Sequence, residues 1–135
     1  MSGIFADAFY FIALLNPADQ FHPEATRFAR SRHVRLYTTT WIFTEVADAL
    51  CMPGFRRHVH LAIESLMAHP RIQVIPADEA WFAKGLALYG ARADKAWSLT
   101  DCISFAVMAE LGLAEALTGD HHFEQAGFRA LLRRP

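Results

Sequence analysis

The sequence predicts an α/β fold in which a parallel sheet lies between layers of helices. Short apolar runs that suit strands alternate with stretches of helical periodicity along the chain, a pattern typical of parallel sheets with helices on both faces. No repeat, low-complexity tract or Gly/Ser-rich linker interrupts this alternation. With 135 residues, 53% of them hydrophobic, the chain is long enough for one packed core. We therefore expect a single domain that spans residues 1–135.

Apolar patterning and helix breakers predict the first strand and the first two helices. Gly3–Ala6 is an apolar run that suits a buried strand. Ala8–Leu15 continues as a short helix, which the Asn16–Pro17 pair ends. In the segment Gln20–Arg32, aromatic and alanine residues recur at helical spacing between arginines. This segment is therefore predicted to be an amphipathic helix with a basic outer face.

Caps, β-branched runs and breakers define the remaining predicted elements. Helices are expected to begin where Ser, Thr or Asp precedes a periodic apolar stretch and to end near Gly or Pro, with strands at the short apolar runs between them. In chain order these elements are a strand at Val34–Thr38, a helix from Thr39 or Thr40 to about Cys51, a helix at Phe55–Ala68, a strand at Ile72–Ile75, a helix from Asp78 to about Gly90, a helix from Ser98 or Thr100 to near Gly112, a strand at Ala114–Thr118 and a short strand at Phe128–Leu132.

Charge, hydropathy and cysteine content exclude several classes of protein. Lys+Arg 13 against Asp+Glu 14 gives a net charge of −1, which excludes a globally basic nucleic-acid binder but leaves room for a local basic surface. The longest unbroken apolar run, Ala8–Leu15, is far shorter than the roughly 20 residues of a membrane span. A signal peptide is not expected, because the first residues include no basic region and Asp7 interrupts their apolar stretch. Cys51 and Cys102 form no disulfide scaffold or zinc pattern and are expected to be small buried residues. A cytoplasmic protein without membrane contact is therefore expected.

Four acidic residues occupy positions where a solvated surface charge is not expected. Asp7 and Asp120 directly follow predicted strands, and open α/β sheets bind ligands at the carboxyl ends of their strands. Glu45 lies within an apolar stretch, and Asp101 lies just ahead of another. Each acid could instead stabilise a turn, interact with a helix dipole or sit on a solvated face. Together, however, the four fit one crevice of one fold.

Four carboxylates in one crevice cannot all be ionised without a counterion. Two unit charges about 4 Å apart repel each other by roughly 4 kcal/mol at an effective dielectric constant of about 20. Either some carboxyl groups keep their protons, or a divalent cation neutralises the set. Hard oxygen ligands favour Mg²⁺ or Mn²⁺, and the chemistry that suits such a site is hydrolysis of phosphodiester bonds.

The residues around these acids resemble a known family. The segments Leu99–Met108 and Leu117–Phe123, followed by Gly127 and Phe128, are similar to the C-terminal half of PIN domains, in particular the bacterial VapC-like toxins. Asp7 and Glu45 complete the acid quartet of that family in the same order. The resemblance spans essentially the whole chain, and the stretch from Thr118 to Phe123 is its most specific part.

This resemblance implies a three-layer α/β/α PIN-like fold with a central five-stranded parallel sheet. It also implies a Mg²⁺- or Mn²⁺-dependent endoribonuclease that acts as the toxin of a toxin–antitoxin pair. Asp7, Glu45, Asp101 and Asp120 carry over as the catalytic acids, with Asp7, Asp101 and Asp120 as the metal ligands. The implied partners are an RNA substrate, a cognate antitoxin protein and a second copy of the chain in a homodimer.

The sequence departs from the family at one position near the site. Many relatives place Asn, Ser or Thr two residues after the first Asp, whereas this chain has Phe9 there. Thr118 is a candidate to replace that polar support or to contact substrate. Arg92 and Lys95 precede Asp101 and are candidate contacts for the phosphates of the substrate.

Two other functions remain open at this stage. A phosphatase or phosphotransferase with a nucleophilic Asp would use a similar scaffold, although such enzymes commonly carry a second Asp where Phe9 stands. A non-catalytic module that binds RNA or protein is the other alternative. His121 and His122 directly follow Asp120 and either touch the metal or phosphate or lie on the rim of the crevice.

Overall fold

The computed structural model describes residues 3–31 and 33–132, which contain five strands and seven helices. The strands are β1 (Ile4–Ala6), β2 (Leu36–Thr39), β3 (Ile72–Ile75), β4 (Glu115–Leu117) and β5 (Arg129–Ala130). The helices are α1 (Ala8–Leu15), α2 (His22–Ser31), α3 (Thr40–Ala49), α4 (Pro53–Met67), α5 (Glu79–Ala91), α6 (Leu99–Leu111) and α7 (His121–Gln125). Arg32, the predicted end of the second helix, lies outside the described residues, as do both ends of the predicted domain.

The five strands form one parallel sheet in the order β3-β2-β1-β4-β5. Ile4 of β1 lies opposite Leu36 of β2, and Phe5 lies opposite Ala116 of β4. All three residues of β1 are buried, as expected for a central strand that is covered on both faces. The three-layer α/β/α architecture with a central five-stranded parallel sheet is therefore confirmed.

Aromatic side chains form much of the core between the sheet and its helices. Phe5, Phe11 and Phe123 are fully buried. The Phe105 ring on α6 packs edge-on against Phe123 of α7, with ring centroids 4.9 Å apart, and Phe11 packs against Phe43 at 5.2 Å. Rings of this size remove large apolar areas from water, so these contacts hold α1, α3, α6 and α7 against the sheet.

Side-chain caps fix the starts of three helices where the sequence places them. The Thr39 hydroxyl accepts the Ile42 N–H at 3.3 Å, and the Asp78 carboxylate accepts the Trp81 N–H at 2.8 Å. Ser98 caps α6 in a reciprocal arrangement that belongs to the site described below. Each such cap satisfies a helix N–H that has no intrahelical partner and contributes about 1 kcal/mol.

The structure differs from the sequence-based expectations about local structure at four points. β2 begins at Leu36 rather than Val34 and includes Thr39, while the last strand shrinks to Arg129–Ala130. The helix α7 was not predicted, because five residues are too few to show a helical period. Cys51 was expected to be buried but is exposed, since it lies beyond the end of α3, whereas Cys102 is buried as expected.

Within the described residues, no helix combines the length and the apolar content that crossing a membrane requires.

Gly85 and Gly90 of α5 offer a matched test of how closely α5 packs against α6. A Cβ on Gly85 would lie 2.2 Å from Ile103 Cγ1 and 2.9 Å from its Cα, whereas a Cβ on Gly90 would meet no atom within 4 Å. We expect Gly85→Ala to lower the free energy of unfolding by about 1–3 kcal/mol through overpacking, and Gly90→Ala to raise it by up to about 1 kcal/mol through helix propensity. Urea denaturation measures both, and equal effects would contradict this packing.

Candidate active site

The carboxyl ends of β1 and β4 lie side by side and bring two of the predicted acids together. The Asp7 N–H directly after β1 donates to the carbonyl of Leu117 in β4 at 3.3 Å. The Thr118 hydroxyl donates to Asp7 Oδ2 at 2.8 Å and accepts the Asp120 N–H at 3.1 Å. Asp7 and Thr118 are both buried. One hydroxyl therefore links an acid at the start of the chain to the loop that carries another acid near its end.

Asp120 is the N-cap of α7 and contacts the two histidines that follow it. Its Oδ1 accepts the His122 N–H at 2.9 Å, and His122 Nδ1 lies 3.1 Å from the same oxygen. His122 Nδ1 is also 3.7 Å from Asp101 Oδ2, so this ring lies between the two carboxylates. His121 is mostly exposed, with its Nδ1 3.7 Å from Asp120 Oδ1.

Asp101 is held in the first turn of α6 by a reciprocal cap. The Ser98 hydroxyl accepts the Asp101 N–H at 3.0 Å, and Asp101 Oδ2 accepts the Ser98 N–H at 3.4 Å. The Asp101 residue is 8% exposed. The cap therefore serves two purposes, because it starts the helix and fixes the direction of a nearly buried carboxylate.

Glu45 reaches the other acids from α3. That helix directly follows β2, and the Thr38 hydroxyl of β2 donates to the Ala6 carbonyl of β1 at 2.8 Å. Glu45 is half-buried and interacts electrostatically with Asp7, Asp101 and Asp120. The structure thus brings all four sequence-predicted acids into one electrostatically coupled group.

Burial, together with the charges of neighbouring acids, raises the pKa of three of the four carboxyl groups. Burial raises the pKa of Asp7 from 3.8 to about 7, against the hydrogen bond from Thr118, and the charges of Asp101 and Glu45 raise it further. Burial also raises the pKa of Glu45 and of Asp101, with Asp120 adding to the rise in each case. The group therefore carries more negative charge than its surroundings compensate, which is the condition under which a cation binds.

The spacing of the donor atoms shows where a cation could bind. Among the described residues, Asp120, His121 and His122 are the group whose ligand atoms all lie within 4.8 Å of one another. Asp7 and Asp101 face the same crevice but do not join Asp120 in a triad that tight. Mg²⁺ usually retains several waters when a protein binds it, so it does not require all the carboxylates to lie in so tight a group.

Phe9, which stands where the family resemblance leads one to expect a polar side chain, packs against apolar surroundings. Its ring packs edge-on against Phe21, with centroids 4.9 Å apart, and it lies against Gly119, where an added Cβ would be 2.5 Å from Phe9 Cζ. Phe9 therefore gives Asp7 no hydrogen bond. The hydrogen bond comes from Thr118 on the neighbouring strand end, as the sequence suggested it could.

The three residues proposed as substrate contacts lie in different surroundings. Thr118 is fully buried with its hydroxyl committed to Asp7, so we assign it to positioning that acid rather than to contacting substrate. The Arg92 guanidinium donates to Asp94 at 3.0 and 3.1 Å. Arg92 and Lys95 line a cavity of their own beside Trp97, outside the group of acids.

Sequence reasoning gave His122 little weight as a site residue, although its ring bridges Asp101 and Asp120. Its role depends on how α6 and α7 meet in three dimensions, which the sequence does not reveal. One signal was available, because an Asp directly before the pair His121–His122 can cap a short helix and so fix the direction of the second histidine.

Asp7 offers a test of the electrostatic coupling through the pH dependence of stability. Its pKa of about 7 in the folded chain exceeds the ordinary 3.8, so the folded state binds the proton more tightly than the unfolded state. Its stabilising contribution is fully present below about pH 4 and is lost as the pH rises through about 7. In EDTA at about pH 8, we expect Asp7→Asn to be more stable than the wild type by on the order of 2 kcal/mol, with a weaker pH dependence.

Urea denaturation between about pH 4 and pH 8 measures this effect. Asp48→Asn is the matched control, because Asp48 is an exposed carboxylate of α3 outside the coupled group. The control variant should retain the pH dependence of the wild type. Parallel stability curves for the wild type and Asp7→Asn would contradict the assignment.

Solved structures similar to this chain share its fold. VapC20 of Mycobacterium tuberculosis, described as a sarcin–ricin loop cleaving toxin, matches with a TM-score of 0.85 and 24% identity, covering 98% of this chain and 99% of its own. FitAcB from Neisseria gonorrhoeae matches with a TM-score of 0.65 and 17% identity, covering 96% of each chain. Among curated proteins, none matches the sequence significantly.

The sequence itself matches one protein family over nearly its whole length. The family model described as PIN domain aligns with residues 4–129. This range begins at β1 and ends at β5, so it includes all four coupled acids and the strands that position them. The chain therefore belongs to the PIN domain family.

Proposed function

We propose that this protein is a Mg²⁺- or Mn²⁺-dependent endoribonuclease. The observation that carries the proposal is the group of four acids formed by Asp7 after β1, Glu45 of α3, Asp101 of α6 and Asp120 after β4. Burial and the charges of neighbouring acids raise the pKa of Asp7, Glu45 and Asp101. Repulsion of this kind is what a divalent cation relieves. Membership of the PIN family supports the proposal, as does the likeness to VapC20, a toxin described as cleaving the sarcin–ricin loop.

The donor set fits a hard divalent cation. Carboxylate oxygens are the preferred ligands of Mg²⁺ and Mn²⁺, and Asp7, Asp101 and Asp120 are the residues that would hold such an ion. A bound ion would neutralise the acids, stabilise charge on the attacked phosphate and lower the pKa of a bound water. The hydrogen bond from Thr118 and the contacts of His122 keep the carboxylates of Asp7 and Asp120 in place for this purpose.

Phosphodiester hydrolysis also requires a group that accepts a proton from the attacking water. Glu45 is half-buried, and burial and the charges of Asp101 and Asp120 raise its pKa, which makes it a stronger proton acceptor than an exposed glutamate. We assign it to accept the proton of the attacking water as the new P–O bond forms. The bond from phosphorus to the 3′ oxygen breaks, which leaves a 5′-phosphate on one product and, after protonation, a 3′-hydroxyl on the other.

We further propose that the chain is the toxin of a toxin–antitoxin pair, with a cognate antitoxin protein and a homodimeric state. Support comes from the sequence resemblance to VapC-like toxins and from the fold shared with VapC20 along 98% of the chain. A toxin of this kind damages RNA in the cell that makes it unless its antitoxin is present. The toxin proposal therefore predicts that expression of the gene lowers the viability of the host cell, in addition to RNA cleavage by the purified protein.

Loss of a site carboxylate should abolish RNA cleavage while the fold remains intact. With Mg²⁺ or Mn²⁺ present, we expect Asp101→Asn and Asp7→Asn to lower the cleavage rate about 100-fold or more, because each change removes a negative ligand from the site. The rate is measured on single-stranded RNA by gel electrophoresis, with circular dichroism as the check on folding. Asp48→Asn should cleave like the wild type.

Two results of that experiment would overturn the nuclease proposal. One is cleavage that continues unchanged in EDTA or in the two site variants. The other is tight RNA binding without turnover at saturating metal, which would favour the non-catalytic module. A covalent aspartyl-phosphate formed from a phosphorylated substrate would favour the phosphatase.

Toxicity is tested by recovery of the gene in an expression host. We expect few or no colonies from the induced wild-type gene and normal recovery of Asp101→Asn. The proposal also predicts a small protein encoded next to the gene, whose co-expression should restore growth. Light scattering of the purified pair should then show both the complex and the number of copies. Equal recovery of wild type and variant would contradict the toxin assignment.

A further inference from the structure

A cavity of about 500 Å³ lies between the end of α5 and the start of α6. This volume is within the range of small-molecule sites in proteins. Its lining includes Tyr89 and Arg92 from the end of α5, Lys95 from the connecting segment, and Trp97 and Cys102 from around the start of α6. These residues supply two cations, an exposed phenol ring and a buried indole, and none of them belongs to the group of acids.

The cavity shares structural elements with the acidic site. Cys102 directly follows Asp101 on α6, and Trp97 directly precedes the Ser98 cap that holds Asp101. The Trp97 indole N–H donates to Gln125 of α7 at 3.0 Å, and α7 is the helix that Asp120 begins. The wall of the cavity is therefore built on the same two helices that orient two of the four acids.

Neighbouring residues hold Arg92 and Trp97 in place, whereas Lys95 and Tyr89 are available to contact a ligand. The Arg92 guanidinium donates two hydrogen bonds to the Asp94 carboxylate and lies over the Trp97 ring at 5.1 Å. Asp94 interacts electrostatically with both Arg92 and Lys95, and because one carboxylate cannot offset two cations, one positive charge remains in this segment. In the described part of the chain, no carboxylate lies at ion-pair distance from the Lys95 ammonium group. Tyr89 is 50% exposed at the rim.

We propose that this cavity binds the nucleotide of an RNA strand that lies next to the cleaved phosphodiester, an inference that rests on the proposed nuclease function. The Tyr89 ring stacks on the base, and Lys95 contacts the adjoining phosphate. Charge complementarity favours this occupant, because four acids nearby repel a phosphate backbone and a cation on their flank offsets that repulsion. The aromatic ring beside the cation suits a nucleotide better than an acidic peptide, which needs no stacking surface.

Binding of a fluorescein-labelled single-stranded RNA decamer, followed by anisotropy in low salt with EDTA, tests the proposal without requiring cleavage. Tyr89→Ala should raise Kd about tenfold, while Tyr89→Phe keeps the ring and should bind like the wild type. Lys95→Ala should raise Kd and reduce the slope of log Kd against log salt by about 0.7. Lys84→Ala is the matched control, because it removes one positive charge from α5 outside the cavity and should leave Kd and the slope close to those of the wild type.

Several results would overturn the proposal. These are no detectable binding of the decamer by the wild type, Kd values for Tyr89→Ala and Lys95→Ala equal to that of the wild type, or an equal effect of Lys84→Ala. Competition by polyglutamate at lower concentration than by RNA would assign the cavity to an acidic protein segment. A dimer that Tyr89→Ala converts to a monomer would assign Tyr89 to self-association.

The outcomes also separate this proposal from the nuclease assignment. If the two cavity variants weaken RNA binding but the wild type cleaves no RNA with Mg²⁺ or Mn²⁺, the nuclease function fails and the nucleotide site stands. If the wild type cleaves RNA and the cavity variants retain the wild-type Kd and KM, the nucleotide site fails alone.

Discussion

The parallel pairing of β1 with β4 is the contact on which the candidate site depends. It places the carboxyl ends of two strands from opposite ends of the chain next to each other, so that Asp7 and Thr118 meet across 111 residues of sequence. The buried Thr118 hydroxyl then has a fixed role, as donor to Asp7 and as acceptor from Asp120. Neither acid could hold its place if the register of these two strands shifted by one residue.

The acidic site lowers the free energy of unfolding, and the packing of the aromatic core offsets this loss. Buried carboxyl groups that raise one another's pKa destabilise the chain when they ionise. The same region contains the Phe123 ring, which is fully buried against Phe105 at 4.9 Å and near Phe5 at 6.5 Å. This packing attaches α7 to the sheet, and α7 in turn carries the residues that contact Asp120. The short helix α7 therefore contributes both to the packing of the core and to the candidate site.

The sequence allowed the sheet and the acids to be predicted because both follow from local rules. Apolar runs mark the strands, and the rule that parallel sheets bind ligands at strand ends places Asp7 and Asp120 at one edge. Residue types limited the N-cap of α6 to Ser98 or Thr100, and the structure shows that it is Ser98. The family resemblance supplied the strand number and linked Glu45 and Asp101 to the same site.

What escaped prediction depends on contacts between elements distant in sequence. The helix α7 is too short to show a period, so the bridging position of His122 could not be inferred. The burial of Thr118 is set by β1 on the neighbouring side of the sheet, and a threonine after a strand reads equally well as a solvated residue. The exposure of Cys51 could not be predicted either, because it depends on α3 ending at Ala49, two residues earlier.

The contact between Phe9 and Gly119 limits which side chains these two positions can carry at the same time. The Phe9 ring fills the space that a side chain at position 119 would need, with 2.5 Å between Phe9 Cζ and an added Cβ. A larger residue at position 119 therefore requires a smaller or displaced one at position 9. A small polar side chain at position 9 would leave that space free. Positions 9 and 119 are thus expected to change together during divergence, and a transplant of the usual polar residue into this chain would leave a void unless position 119 changed with it.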